Sequence, residues 1–381
     1  MRMIVSGGGT SGHVSPVLAT VDALRLIPDP PEILFIGTRD GVEAGLARAA
    51  GLPFKGIQGG KLRRLPGAGV AGNLRQWRHL AWNLRDSFLM VAGTFQALWI
   101  IGHYRPAVIF NKSGPPGLPI GVAAWVLGIP MILHEPDITP GLGTRVMGRW
   151  AVSIATGFPV NLYPARLQAK LIHTGTPVQP AILQGSKAAA RRRFKLQDGV
   201  PVVLVVGGSQ GAKALNTALM GCLPDLLKKM QILHITGGLD AERVEQEMVR
   251  RLHNVKEPIY LYRRETLLEA SAMADAYAIA DVVVARAGAS TIAELAALAK
   301  PTVLVPNTEA AAHQVQNAKA LEQAEAVIVT SNEPQELSRA IRSFIDSAEQ
   351  RRRYAAAIAQ FNAPEAADYL AHVLLAQGGR P

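Results

Sequence analysis

The stretch DVVVARAGASTIAE, Asp281 to Glu294, sets the pattern of the whole chain. Val282–Val284 is a short apolar run with β-branched side chains, which predicts a buried strand. Arg286, Ala287 and Gly288 make the turn, and the remainder predicts a helix. Ser290 and Thr291 are expected to cap that helix, whose first backbone N–H groups lack intrahelical acceptors. Such a terminus attracts an anion or a polar ring. Glu294 is expected within the first turn, where its carboxylate offers two acceptor oxygens to paired hydroxyls such as those of a ribose. Taken alone, the segment is more simply an ordinary strand-to-helix turn with an acid placed well on the helix dipole.

The same strand–turn–helix order recurs from the N-terminus. MIVSGGGTSGHVSPVLATVDAL opens the chain, and VPVVLVVGGSQGAKALN restarts the series near residue 200. In the first half, strands are expected at Glu32–Ile36, Ala107–Phe110 and Met131–His134, with helices at Gly41–Ala50 and Gly121–Leu127. In the second half they are expected at Gln231–Thr236, Ile259–Tyr262, Asp281–Ala285 and Pro301–Val305. Pro334 suits the start of an amphipathic helix to about Arg353. This alternation implies parallel βαβ units in doubly wound sheets. Two α/β domains follow, residues 1–174 and 175–354, with a tail of about 355–381 able to cross back to the first.

The bulk composition bounds the possibilities. A chain of 381 residues, 49% hydrophobic and 18% charged, is globular and can bury two cores. Forty Lys and Arg against 29 Asp and Glu give +11 at pH 7, which points to an anionic partner. Cys222 is the sole cysteine, so internal disulfides and thiolate metal clusters are excluded. No signal peptide is expected. The apolar runs Phe88–Ile101 and Gly117–Leu133 are too short or too interrupted to span a bilayer.

Residues 61–101 differ from their surroundings. Lys61, Arg63, Arg64, Arg75, Arg78 and Arg85 are mixed with or followed by Trp77, Trp82, Phe88, Phe95 and Trp99. Cations among aromatics suit an anionic membrane surface. They also suit single-stranded nucleic acid, or a pair of surface helices with buried rings and a solvated basic face.

Several short motifs could carry chemistry. Gly7-Gly8-Gly9-Thr10-Ser11-Gly12-His13 follows a strand and opens a helix, so its backbone can approach a ligand closely. It lacks the acid that a dinucleotide fingerprint needs at the end of the second strand, and the Gly-Lys-Ser/Thr of a P-loop. His13 could act as a general base or simply bond the loop backbone. Gly207-Gly208-Ser209-Gln210-Gly211 is the matching turn in the second half, suited to a phosphate oxygen or to nothing more than a tight turn. His313, Gln314 and Asn317 at a helix start could reach sugar hydroxyls or form polar helix surface.

Taken together, GGTSGHVSP (Gly8–Pro16), LGIPMILHE (Leu127–Glu135), VVGGSQGAKALN (Val205–Asn216), ADVVVARAGASTIAEL (Ala280–Leu295) and HQVQNA (His313–Ala318) resemble the MurG family in content and in order. The resemblance implies a GT-B fold, two Rossmann-like domains facing across a cleft, with donor bound by the C-terminal domain and acceptor by the N-terminal one. It implies inverting transfer of N-acetylglucosamine from UDP-GlcNAc to lipid I, an undecaprenyl-linked acceptor, giving lipid II in peptidoglycan synthesis. No cofactor or bound metal is implied. By motif, Ser209 would hold a donor phosphate and Glu294 the uridine ribose. Ala289, Ser290 and Thr291 would line the donor, and His313 and Gln314 would lie near the GlcNAc hydroxyls. Thr10, Ser11, Gly12 and His13 would face the reacting centre.

Three departures from the family pattern stand out. His134-Glu135-Pro136-Asp137 replaces His-Glu-Gln-Asn, which makes Asp137 a candidate base beside His13. Thr176-Pro177-Val178-Gln179 replaces Asn-Pro-Val-Arg, so Gln179 stands where a cation near the donor is expected. Phe110-Asn111-Lys112 replaces a Gly-Gly-Tyr stretch. The expectation is a bacterial enzyme, peripheral on the cytoplasmic face of the cell membrane, whose partners are UDP-GlcNAc, the lipid acceptor and an anionic membrane surface, with no nucleic acid. The alternatives are a related UDP-sugar transferase with another lipid acceptor, and a UDP-sugar epimerase or binding protein.

Overall fold

The structure, a computed structural model, describes residues 1–9, 11–60, 70–208, 211–252, 261–308 and 312–379. It contains two compact units. The first comprises Met1–Pro136, Pro140–Pro177 and Glu365–Pro381; the second comprises Asp137–Thr139 and Val178–Pro364.

The first unit is built on strands β1 (Arg2–Ser6), β2 (Glu32–Thr38), β3 (Phe54–Ile57), β4 (Val108–Asn111), β5 (Met131–Glu135), β6 (Ser153–Thr156) and β7 (Leu171–His173). They form one parallel sheet in the order β3-β2-β1-β4-β5-β6-β7. Alternate side chains divide between its two faces, as the period of a strand requires. Met3, Val5, Phe35 and Phe110 enter one core with Val14, Val17 and Leu18 of the helix Ser11–Arg25. Ile4, Ile36 and Ile109 enter the other, with Ala97 and Ile101 of the helix Val70–Tyr104. The last helix of the chain, Ala366–Gly378, returns to the first core through Leu370, Ala371 and Leu374.

The basic-aromatic segment contains one long helix, Val70–Tyr104, rather than a pair. Residues 61–69, which include Lys61, Arg63 and Arg64, lie outside the described residues. From Trp82 onward the side chains divide sharply. Ala97 and Ile101 are fully buried, while Phe88, Phe95 and Trp99 are 69%, 68% and 64% exposed. The inner face is positioned by Gln96, whose Oε1 accepts the Gln58 N–H at 2.7 Å just past β3.

The second unit uses β8 (Val202–Val206), β9 (Gln231–Ile235), β10 (Tyr262–Glu265), β11 (Val282–Ala285), β12 (Thr302–Leu304) and β13 (Ile328–Val329). They form a parallel sheet in the order β10-β9-β8-β11-β12-β13. Val203, Val205, Val282, Val284 and Val303 share a core with the helices Lys213–Leu226 and Pro334–Asp346. Of the strand expected over Ile259–Tyr262, Ile259 and Tyr260 lie outside the described residues, and β10 spans Tyr262–Glu265. Its register pairs Tyr262 with Ile232 and Glu265 with Ile235, so Arg263, Arg264 and Glu265 lie on a sheet edge that tolerates charge. The helix expected from Pro334 to about Arg353 stops at Asp346. Ser347 accepts the Gln350 N–H at 3.1 Å and caps a separate helix, Ala348–Ala359.

In each sheet the strand order reverses once beside the first strand of the unit: between β1 and β4, and between β8 and β11. Ligands of open α/β sheets bind at the carboxyl ends of the strands at such points. The glycine turns and the DVVVARAGASTIAE segment lie there.

Candidate active site

In the second unit, β11 leads through Arg286, Ala287 and Gly288 into the helix Ala289–Ala297. The cap is Gly288, in extended conformation, and the Ile292 N–H makes the first intrahelical bond to the Gly288 carbonyl at 2.9 Å. Ser290 and Thr291 therefore occupy the first turn and are not its caps, contrary to the sequence-based expectation. The amide-rich end of the helix thus opens at the carboxyl edge of β11.

Glu294 is the sixth residue of that helix and lies in its second turn, not its first. The favourable helix-dipole account of this acid is weakened accordingly, because the effect fades within one turn. The Tyr277 hydroxyl, in the helix Ala270–Ile279, donates to Glu294 Oε2 at 2.9 Å. Burial raises the Glu294 carboxyl to about 7, with the Tyr277 hydrogen bond working in the opposite direction. Desolvation penalises the charged form, and a hydrogen bond to that form favours it.

The loops around this helix are tied to it by polar side chains. Arg286 donates to the Val305 carbonyl at 2.7 Å and to Asn332 Oδ1 at 3.1 Å, joining the β11 turn to the exit of β12. Asn317 is fully buried. Its amide donates to Asp137 Oδ1 at 2.7 Å and to the Ala287 carbonyl at 3.2 Å, while its Oδ1 accepts the Ile138 N–H at 3.1 Å. Asn317 is thus an internal tie, where the sequence suggested a group for sugar hydroxyls. Gln314, in the first turn of the helix Ala312–Gln323, accepts the Asn307 N–H at 3.1 Å through Oε1. That leaves the NH2 end of its amide as the donor it can offer a ligand. His313 is half-buried beside it, and Gln179 immediately precedes the 3-10 helix Pro180–Gln184.

The glycine turn after β8 is braced from beneath. Gly237 has φ +79, and a Cβ there would collide with the backbone of Gly211 and lie 2.7 Å from the Gly208 carbonyl, so only glycine permits the approach. Asn216, fully buried, donates to the Thr236 carbonyl at 3.1 Å and to Asp240 Oδ2 at 2.6 Å. With its NH2 so engaged, Asn216 Oδ1 accepts from His234 Nε2 at 3.0 Å, and His234 Nδ1 must accept from the Tyr262 hydroxyl at 2.8 Å. Burial lowers His234 to about 3 and holds it neutral, as this arrangement requires. Ser209 lies outside the described residues.

In the first unit, Ser11, Gly12 and His13 begin the helix Ser11–Arg25, with Gly12 and His13 half-buried; Thr10 lies outside the described residues. Glu43 is fully buried and organises the turn before them. Its Oε1 accepts the Thr38 N–H at 2.8 Å and the Thr38 hydroxyl, and its Oε2 accepts the Gly9 N–H at 3.5 Å. Gly114, at φ +86, packs its Cα against the Gly8 carbonyl so closely that a Cβ would clash. The preceding Lys112 is 2% exposed. His134 is also buried, with Nε2 3.3 Å from the Gly175 carbonyl. Burial first, then the charge of Lys112, drives its pKa well down, and His13 adds in the same direction.

Among the described residues, no group of three or more His, Cys, Asp and Glu side chains is placed to hold a metal ion. Sequence reasoning did not single out Glu43, Tyr277 or the His234–Asn216 network. Their partners lie 5 to 34 residues away, and polar side chains within apolar elements were the only signal.

Comparison with known proteins places this architecture. Residues 3–156 match the Glycosyltransferase family 28 N-terminal domain, and residues 202–370 match the family's C-terminal domain. The UDP-N-acetylglucosamine–N-acetylmuramyl-(pentapeptide) pyrophosphoryl-undecaprenol N-acetylglucosamine transferase of Lachnospira eligens is 36% identical over 80% of this chain and 78% of its own. The crystal structure of Acinetobacter baumannii MurG superimposes with a TM-score of 0.70 at 25% identity, covering 98% of this chain and 99% of that one. A UDP-GlcNAc 2-epimerase from Neisseria meningitidis reaches the same TM-score of 0.70 at only 12% identity, covering 99% of this chain and 100% of that one, and so shares the fold alone. Two parallel Rossmann-like sheets, both family 28 domains and sequence identity along most of the chain lead to one assignment: the protein has the GT-B fold and belongs to the MurG family of glycosyltransferases.

Proposed function

We propose that the protein transfers N-acetylglucosamine from UDP-GlcNAc to lipid I, forming lipid II for peptidoglycan. The observation that carries this reading is the polar edge at the β8/β11 reversal. There the amide-rich start of Ala289–Ala297, a carboxylate held by Tyr277, and the Gln314 amide lie on two helices whose leading loops are tied together by Arg286 and Asn317. These groups match the parts of a nucleotide sugar. Glu294 accepts the ribose hydroxyls. Ala289, Ser290 and Thr291 present the helix terminus to the leaving diphosphate, with Ser209 from the turn after β8. His313 and Gln314 take the sugar hydroxyls, and Gln179 replaces a cation at the donor's edge. The helix dipole then meets the negative charge that grows on departing UDP.

Thr10, Ser11, Gly12 and His13 serve the acceptor side, and His13 or Asp137 removes the proton from the attacking hydroxyl. Asp137 is held by Asn317 at 2.7 Å, which fixes its position. With lipid I in detergent, Asp137→Asn is expected to lower kcat at least about a hundredfold with donor binding unchanged. Full turnover in that variant would remove Asp137 from the proton-transfer role.

The outward face of the helix Val70–Tyr104 is the surface that meets an anionic membrane. Phe88, Phe95 and Trp99 are exposed along it, and Trp125, itself exposed, stacks on Trp150 with centroids 5.2 Å apart. Among the described residues no helix is long and apolar enough to cross a bilayer. The exposed aromatic face supports a peripheral association, which we place on the cytoplasmic face.

A further inference from the structure

We infer that Tyr277 is a positioning residue for the donor. Its hydroxyl sets the plane of the Glu294 carboxylate so that the carboxylate receives the two ribose hydroxyls, and this rests on the assignment of Glu294 to the ribose.

Tyr277 is 1% exposed, the largest fully buried side chain among the described residues, and its ring is anchored in the helix Ala270–Ile279. A buried phenol must find an acceptor. Here the acceptor is a half-buried carboxylate beside the carboxyl edge of β11, 17 residues along the chain, at 2.9 Å. Each carboxylate oxygen carries two lone pairs. A bond to Oε2 therefore fixes the orientation of the group without consuming the acceptors that vicinal hydroxyls need. Free rotation about the Glu294 side chain would otherwise have to be frozen when the donor binds.

Several charged side chains on neighbouring elements have other partners. The helix Ala348–Ala359 packs against Ala289–Ala297. Its Arg351 donates to the Phe344 and Ile345 carbonyls, and Arg353 pairs with Glu325 at 3.6 Å. Arg286 is turned to Val305 and Asn332. Burial and the Tyr277 hydroxyl are the two influences acting on the Glu294 carboxyl.

The test is titration of the full-length protein with UDP-GlcNAc across pH 5.5 to 8. The diphosphate keeps a fixed charge there and the uracil N3–H ionises only at higher pH, so the ligand's own charge is constant over that range. Tyr277→Phe removes only the hydroxyl. The expected result is about a tenfold weaker dissociation constant at pH 7.5, an upward move of the pH midpoint for donor binding, and a raised donor KM with kcat little changed. A parallel Glu294→Gln variant separates the two claims. In that background, adding Tyr277→Phe is expected to have no further effect on donor binding. If Glu294→Gln binds donor like the parent protein, the ribose assignment fails. If Glu294→Gln loses binding while Tyr277→Phe keeps the parent affinity and pH midpoint, the ribose assignment stands and the positioning role of Tyr277 is overturned.

Discussion

Glu294 is a strained residue in energetic terms. Its carboxyl titrates at about 7 in the folded protein against 4.5 for an ordinary glutamate. Because the folded state holds the proton more tightly, this group's contribution to stability falls as pH rises from 4.5 through 7. The difference corresponds to about 3 kcal/mol at most. Replacing Glu294 with glutamine keeps an acceptor for Tyr277 and removes the charge. In urea denaturation without ligand, the glutamine variant should be more stable than the parent by about 2 kcal/mol at pH 8.5 and should converge with it near pH 4. An unchanged difference across that range would show that the charge on Glu294 is not the cause. A destabilising half-buried acid is the pattern expected of a group kept for binding rather than for folding.

At the scale of elements, the helix Val70–Tyr104 is apolar on two faces, and only one of them is used by the fold. Ala97 and Ile101 pack into the first unit, whereas Phe88, Phe95 and Trp99 face outward. Because these three are already exposed, changing them together to serine should alter folding stability little. The same change should weaken sedimentation with phosphatidylglycerol vesicles by at least about tenfold, since each aromatic loses its buried contact with the bilayer. Equal sedimentation of variant and parent would move the membrane contact elsewhere. This helix also shows what the sequence could and could not convey. The mixture of arginines and aromatics marked the segment, but a single helix and its two faces emerge only from packing. Similarly, Ser290 and Thr291 were chosen as caps by residue type, and Gly288 takes that position because its extended backbone starts the helix one residue before Ala289. The break at Ser347 is the same kind of local cap, this time made by a serine whose side chain reaches Gln350.

Across the whole molecule, the valine-rich runs and the two glycine turns were enough to anticipate parallel sheets, because strands buried on both faces read as continuous apolar stretches. The segments proposed to hold the donor, Ala289–Glu294 and His313–Gln314, could be marked in the sequence because each is contiguous in the chain. What remained hidden are long-range polar ties. Asn317 reaches Asp137 across 180 residues, and His234 finds Asn216 and Tyr262 from the middle of a strand. No periodicity encodes such pairs, because each depends on how separate βαβ units are stacked. They matter to function because they hold the loops on which the candidate donor groups sit.

Sugar transfer to a lipid-linked acceptor is measured most directly by following label from UDP-[14C]GlcNAc in detergent containing lipid I. Label is expected in the lipid fraction as lipid II, with stoichiometric release of UDP and no label transferred when lipid I is omitted. Release of labelled free sugar or a labelled epimer, with none entering lipid, would contradict this transfer.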